Sequence, residues 1–110
     1  MFEGSDYFAL AGGGLPSPAV AQFLIEAYVP GGDVDAARRG GVAARQAAEE
    51  LSSEGTPIRY LHSLFVPEDE TCFYLYEASQ LAAVDAAARR AGLTFERVTA
   101  AVSERAEQLA

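Results

Sequence analysis

The chain has 110 residues, enough for one domain, and half of them are hydrophobic, which is ample for a single core. Sixteen acidic side chains against eight basic ones, all Arg, give a net charge of −8 and argue against nucleic acid or an anionic membrane surface as partner. One Cys excludes an intramolecular disulfide and fits a cytoplasmic setting, and no apolar run approaches the roughly 18 residues of a membrane span.

Residues 1–19 carry Gly12-Gly13-Gly14 with Pro16 and Pro18, a composition that predicts a flexible leader. The segment lacks the basic residues and long apolar core of a signal peptide. The domain itself is expected over residues 20–102, with a short tail over 103–110. From Gln22 to Val29 apolar and polar residues alternate, so a strand should bury Phe23, Ile25, Ala27 and Val29 and turn Gln22, Leu24, Glu26 and Tyr28 the other way. Pro30-Gly31-Gly32 ends it, and Asp33 is placed to cap a helix running to about Ser53. Val34, Ala37, Gly41, Ala44, Ala48 and Leu51 form that helix's apolar stripe. Gly40-Gly41 weakens its middle by about 1 kcal/mol per Gly relative to Ala, which predicts a kink or a close approach of backbone to sheet.

The stretch Ile58–Ala78 reads as a hairpin and holds the only His, the only Cys and three of the five Tyr. Ser79 should cap a second helix, with Leu81, Val84, Ala88 and Ala91 on one face and Gly92 at its C-terminus. A last strand is expected from Thr94 to Val102, although Val98, Ala101, Val102, Arg105 and Leu109 also fall at helical spacing. Strand, helix, strand, strand, helix, strand predicts a ferredoxin-like α+β domain: a four-stranded antiparallel sheet with two helices on one face.

The uncovered face is where chemistry is expected. If Leu61, Phe65, Phe73 and Leu75 meet the helices, then Tyr60, His62, Leu64, Cys72, Tyr74 and Tyr76 share the open face with Glu26, Tyr28, Arg97 and Thr99. That parity needs a three-residue turn at Glu68-Asp69-Glu70, with His62 opposite Tyr76 and Leu64 opposite Tyr74. Glu26, Tyr28, Tyr60, His62, Tyr74, Tyr76 and Arg97 are then candidate ligand-binding residues, in the mix expected of a small-molecule site. His62, Cys72 and Glu26 form a candidate set for a divalent transition metal. The same surface reads equally as a homodimer interface, where Tyr and Arg are enriched. An enzyme needing no cofactor is the alternative, of monooxygenase, isomerase or cyclase type, with His62 moving protons while Tyr60, Tyr74 and Arg97 position an anionic or aromatic substrate. A phosphate loop, CxxC, HExxH and a serine nucleophile elbow are all lacking.

The run RYLHSLFVPEDETCFYLYEAS from Arg59, followed by AVDAAARRAGLTFERVTAAV, resembles the small bacterial nickel-binding-protein-like domain family. The resemblance is carried by the hairpin ending Tyr74–Ala78, the Ala-rich helix after it and the step Gly92–Glu96, and covers about residues 20–102. It implies a ferredoxin-like domain that dimerises through its open sheet face, in the manner of dimeric α/β-barrel proteins. It also implies nickel as the metal, in a family whose nickel-binding member is richer in His than this chain with its single one.

Overall fold

The computed structural model describes residues 20–104, so the leader predicted over residues 1–19 and residues 105–110 of the tail lie outside the described residues. β1 (Ala21–Tyr28) follows the predicted alternation, with Phe23, Ile25 and Ala27 buried and Glu26 and Tyr28 exposed. Pro30-Gly31-Gly32 turns the chain out of the sheet, Gly31 and Gly32 taking φ of 72° and 63°. Only glycine adopts such angles freely, and at Gly32 a Cβ would also lie 2.8 Å from the Pro67 carbonyl oxygen.

α1 (Val34–Ser53) starts as the sequence predicts. The Asp33 carboxylate accepts from the Asp35 and Ala36 N–H groups at 2.9 and 3.2 Å, satisfying two donors that the first turn leaves free. Gly55, at φ 105°, ends the helix while the Gly55 and Thr56 N–H groups donate back to Ser52 and Leu51. The buried side consists of Ala37, Ala44, Ala47, Ala48 and Leu51, whereas Val34, expected on the stripe, is 44% exposed at the helix entrance.

β2 (Ile58–Val66) and β3 (Thr71–Ala78) form the hairpin, α2 (Leu81–Arg90) crosses back, and β4 (Phe95–Ala101) closes the sheet. The sheet order is β2-β3-β1-β4 with every neighbour antiparallel, and both helices cover one face. This is the ferredoxin-like α+β arrangement. The N-cap position of α2 falls on Gln80, whose side chain makes no cap, and not on Ser79: the extended backbone of Gln80 (φ −140°, ψ 141°) delays the first turn by one residue. Ala83, Val84, Ala87 and Ala88 are its buried side, and Leu81 stays 49% exposed. Gly92, at φ 77°, sits where predicted, with Leu93 N–H donating to the Ala88 carbonyl and Gly92 N–H to that of Arg89.

The helices contribute mostly alanine to the core, so its bulk comes from the sheet, above all from Tyr74, Tyr76 and Ile25. Between the helices Arg90 donates to both Glu54 carboxylate oxygens at 2.9 and 3.0 Å and reaches Glu50 at 3.4 Å. Those hydrogen bonds hold the Glu54 carboxyl below the usual carboxylate range. No helix among the described residues is long and apolar enough to cross a membrane.

The hairpin turn departs from expectation. Val66 pairs with Thr71, so the turn comprises four residues, Pro67 to Glu70, instead of three. Pro67 opens a 3-10 turn, and Glu70 closes it in the left-handed region at φ 52°. That conformation lets the Glu70 carboxylate accept from Gly31 N–H at 2.9 Å while its carbonyl accepts from Val29 N–H at 2.7 Å. The acidic turn is thereby tied to the β1–α1 connection. Because side chains alternate with period two, the one extra residue reverses the parity of β3 relative to β2.

Candidate functional site

The position of each candidate follows from that turn and from two bulges. In β2, Tyr60 pairs with Tyr76 and His62 with Leu75, leaving Leu61 as an extra residue. In β4, Glu96 and Arg97 together oppose the single Glu26, between the pairs Ile25–Val98 and Ala27–Phe95. An inserted residue breaks the alternation of faces. Tyr60 accordingly turns under α1, while His62, two positions further on, emerges on the uncovered side.

Beneath the helices the tyrosines form a cluster. Tyr60 meets Tyr76 edge-on at 5.5 Å between ring centres and Tyr74 at 6.4 Å. Cys72, Tyr74 and Tyr76 are all buried, because they pair with Ala27, Ile25 and Phe23 on the helix-covered side of β1. Above them passes the glycine pair of α1. A Cβ on Gly40 would collide with the Tyr74 hydroxyl, and one on Gly41 would stand 3.5 Å from that of Tyr60. The close approach predicted from Gly40-Gly41 is therefore made onto tyrosine hydroxyls, and the helix runs through it unbroken.

Burial sets the chemistry of this cluster. It pushes Tyr60, Tyr74 and Tyr76 above the ordinary phenol value, and for Tyr74 the adjacent Cys72 thiol adds to the rise. Burial likewise raises the Cys72 thiol, which keeps it a thiol and not a nucleophilic thiolate. These groups are neutral donors near pH 7. The Tyr76 hydroxyl is fully buried without a hydrogen-bond partner among the described residues, an arrangement that costs about 1–3 kcal/mol.

The open face carries a different set. One row across the sheet is His62, Leu75, Leu24 and Thr99, and the next is Leu64, Phe73 and Glu26, with Glu96 and Arg97 beyond. Leu24, Leu64, Phe73 and Leu75 make a continuous apolar centre in which Leu64 is 64% exposed. His62, Glu26, Arg97 and the 55% exposed Tyr28 surround it. No ion pair joins Arg97 to Glu26 among the described residues.

The predicted residues thus divide between two faces. Glu26, Tyr28, His62 and Arg97 share the open face as expected; Tyr60, Cys72, Tyr74 and Tyr76 lie on the other side of the sheet. The four-residue turn moves the β3 residues across, and the β2 bulge moves Tyr60. Phe73 and Leu75, expected under the helices, replace the tyrosines in the open. The enzyme reading is separated in the same way, with His62 and Arg97 on one face and Tyr60 and Tyr74 on the other.

The metal set does not survive this division. Cys72 is buried on the face opposite His62. His62 and Glu26 stand on strands with β3 between them, about 10 Å apart at the usual strand spacing, too far for two bonds of about 2 Å to one ion. No group of three His, Cys, Asp or Glu able to hold a metal exists among the described residues. Among the described residues, the donor set of one chain does not fit a nickel centre.

No protein with a curated description matches this chain. Among solved structures, the crystal structure of SCO4226 from Streptomyces coelicolor A3(2) superposes with a TM-score of 0.58 at 19% identity, over 77% of this chain and 100% of that one. At that identity the likeness speaks for the fold. The family model described as "Nickel responsive protein SCO4226-like" matches residues 23–100, from the first buried Phe of β1 to the penultimate residue of β4. With most of its length matched, the chain belongs to the SCO4226-like family.

Proposed function

We propose that this protein is a non-catalytic, cytoplasmic binding protein that works as a homodimer, two sheets meeting through their open faces and holding a small molecule at the rim of the contact. One observation carries the reading: Leu24, Leu64, Phe73 and Leu75 form an apolar centre with nothing over it among the described residues. Fully burying an exposed side chain such as Leu64 is worth about 1.5–3 kcal/mol, with less to gain from the half-buried Leu24, Phe73 and Leu75, and monomers seldom leave a patch of this kind in water. A symmetric pair would cover it with its own copy. Around that centre His62, Glu26 and Arg97 supply a titratable donor, an acceptor and a fixed cation, the polar complement that orients a small ligand. The separation of His62 from Tyr60 and Tyr74 favours binding over catalysis, since it leaves Arg97 alone of the three groups that the enzyme reading sets beside the imidazole.

Light scattering on the full chain at micromolar concentration tests this. The wild type is expected at twice the chain mass, and Leu64→Arg, which places a charge at the exposed centre, at the single mass with its circular dichroism unchanged. A monomeric wild type, or a dimer indifferent to Leu64→Arg, would refute the pairing. Titration with nickel and zinc is expected to give no His62-dependent heat in the monomeric variant; a tight His62-dependent site there would overturn the assignment of the ligand as an organic molecule.

A further inference from the structure

The helix-covered side holds a feature that the open face does not explain. Where β1 leaves the sheet, an open cleft of about 360 Å³ lies between α1 and the α2–β4 connection. Ala36, Ala43 and Leu93 give it apolar walls, and Arg39, Gly40 and Tyr74 also line it. This volume falls within the range of small-molecule sites, which combine apolar walls with a few convergent polar groups.

Two local rules are broken together here. Gly40 lies in the interior of a 20-residue helix, where glycine costs about 1 kcal/mol relative to alanine. Tyr74 is 1% exposed, yet its hydroxyl occupies the space a Gly40 side chain would take. Alanine over phenylalanine would fill the same volume without a glycine in the helix or a buried hydroxyl. Conflicts of this kind between local preference and fold collect at functional sites. With no side chain on Gly40, the hydroxyl fills that space beside the cleft, which Tyr74 also lines.

Arg39 completes the chemistry. Arg38, Arg59, Arg89 and Arg90 each have a carboxylate within 4.0 Å, while Arg39, like Arg45 and Arg97, has none among the described residues. A guanidinium and a neutral phenol are both hydrogen-bond donors, and together they suit a carboxylate. A single guanidinium in a chain of net charge −8 is poorly matched to a phosphate dianion.

We propose that this cleft is a second binding site, taking a small monocarboxylate with an apolar body, its carboxylate held by the Arg39 guanidinium and the Tyr74 hydroxyl. The site lies across the sheet from the dimer face and does not depend on pairing. The test is an amide chemical-shift titration of the full chain with sodium benzoate, and with benzamide as the neutral isostere. Benzoate should shift Gly40, Gly92 and Leu93 saturably in the millimolar range, and benzamide should bind at least tenfold more weakly. Arg39→Gln, an exposed substitution, and Tyr74→Phe, which removes one oxygen, should each weaken benzoate about tenfold while leaving the remaining spectrum that of the folded protein. Equal binding of benzamide, unchanged binding by both variants, shifts confined to the open face, or no saturable shift would each overturn the proposal.

Discussion

Under the helices Tyr74 and Tyr76 are sealed to 1% and 0% exposure, while on the other side of the same hairpin Leu64 stands 64% exposed and His62 beside it is also in the open. The two faces differ less in hydrophobicity than in how their polar atoms are treated. The covered face takes in phenol and thiol groups and holds them neutral by removing water. The open face keeps its ionisable groups at the periphery and its leucines and Phe73 in the middle.

Substitution should separate the faces by several kcal/mol. Tyr76→Ala empties a fully buried site, and aromatic truncations there cost about 3–5 kcal/mol. His62→Ala on the exposed side should stay within about 0.5 kcal/mol. Urea denaturation at low protein concentration measures both, and comparable losses would mean the faces are not distinct in this way.

Alkaline pH should sharpen the same contrast. Phenols whose folded value is raised stay protonated in the folded chain after the unfolded chain has begun to ionise. Their contribution is complete below the ordinary value of 10.0 and falls as pH rises through and beyond it. Each of Tyr74 and Tyr76 should then remove about 1.4 kcal/mol of stability per pH unit above that point. Replacing either by Phe should lessen the slope by its own share, and a slope unchanged in both variants would show that burial does not keep these phenols protonated.

A smaller effect, readable by its coupling, concerns the glycine over Tyr74. Gly40→Ala gains about 1 kcal/mol in helix propensity but forces a methyl group onto the phenol oxygen, and overpacking of this kind costs about 1–3 kcal/mol. A net loss of about 1 kcal/mol is expected from thermal denaturation. Combined with Tyr74→Phe, the loss should fall close to zero, the Cβ then lying 3.3 Å from the ring carbon that bore the hydroxyl. Losses that simply add would show that the hydroxyl does not fill the space above it.

The order of elements was legible in the sequence because each boundary has a local cause: Asp33 before α1, the Pro-Gly-Gly step after β1, and Gly92 after α2. Which face each hairpin residue takes was not, because Cys72, Tyr74 and Tyr76 alternate with Phe73 and Leu75 and both sets are apolar enough for a core. Alternation alone leaves that choice to the length of the turn, and Pro67 joins the acidic residues to make it four residues instead of three. The bulge at Leu61 leaves no mark in composition either. A usable signal was present, however. Two glycines in the middle of α1 require something large directly beneath, and tyrosine is the largest side chain in the neighbouring strands, with a polar tip that a Cβ at Gly40 would strike. Read that way, Gly40-Gly41 would have placed Tyr60 and Tyr74 under the helix.

The two bulges have a further effect through where they fall. β2 and β4 are the outer strands, and each carries one. An outer strand offers a line of unpaired backbone donors and acceptors, a ready template for accretion of another chain by main-chain hydrogen bonding. Displacing one residue at Leu61 on one side and at Glu96-Arg97 on the other puts that line out of step for an incoming regular strand. The sheet is thereby guarded against growing sideways into an open-ended ribbon.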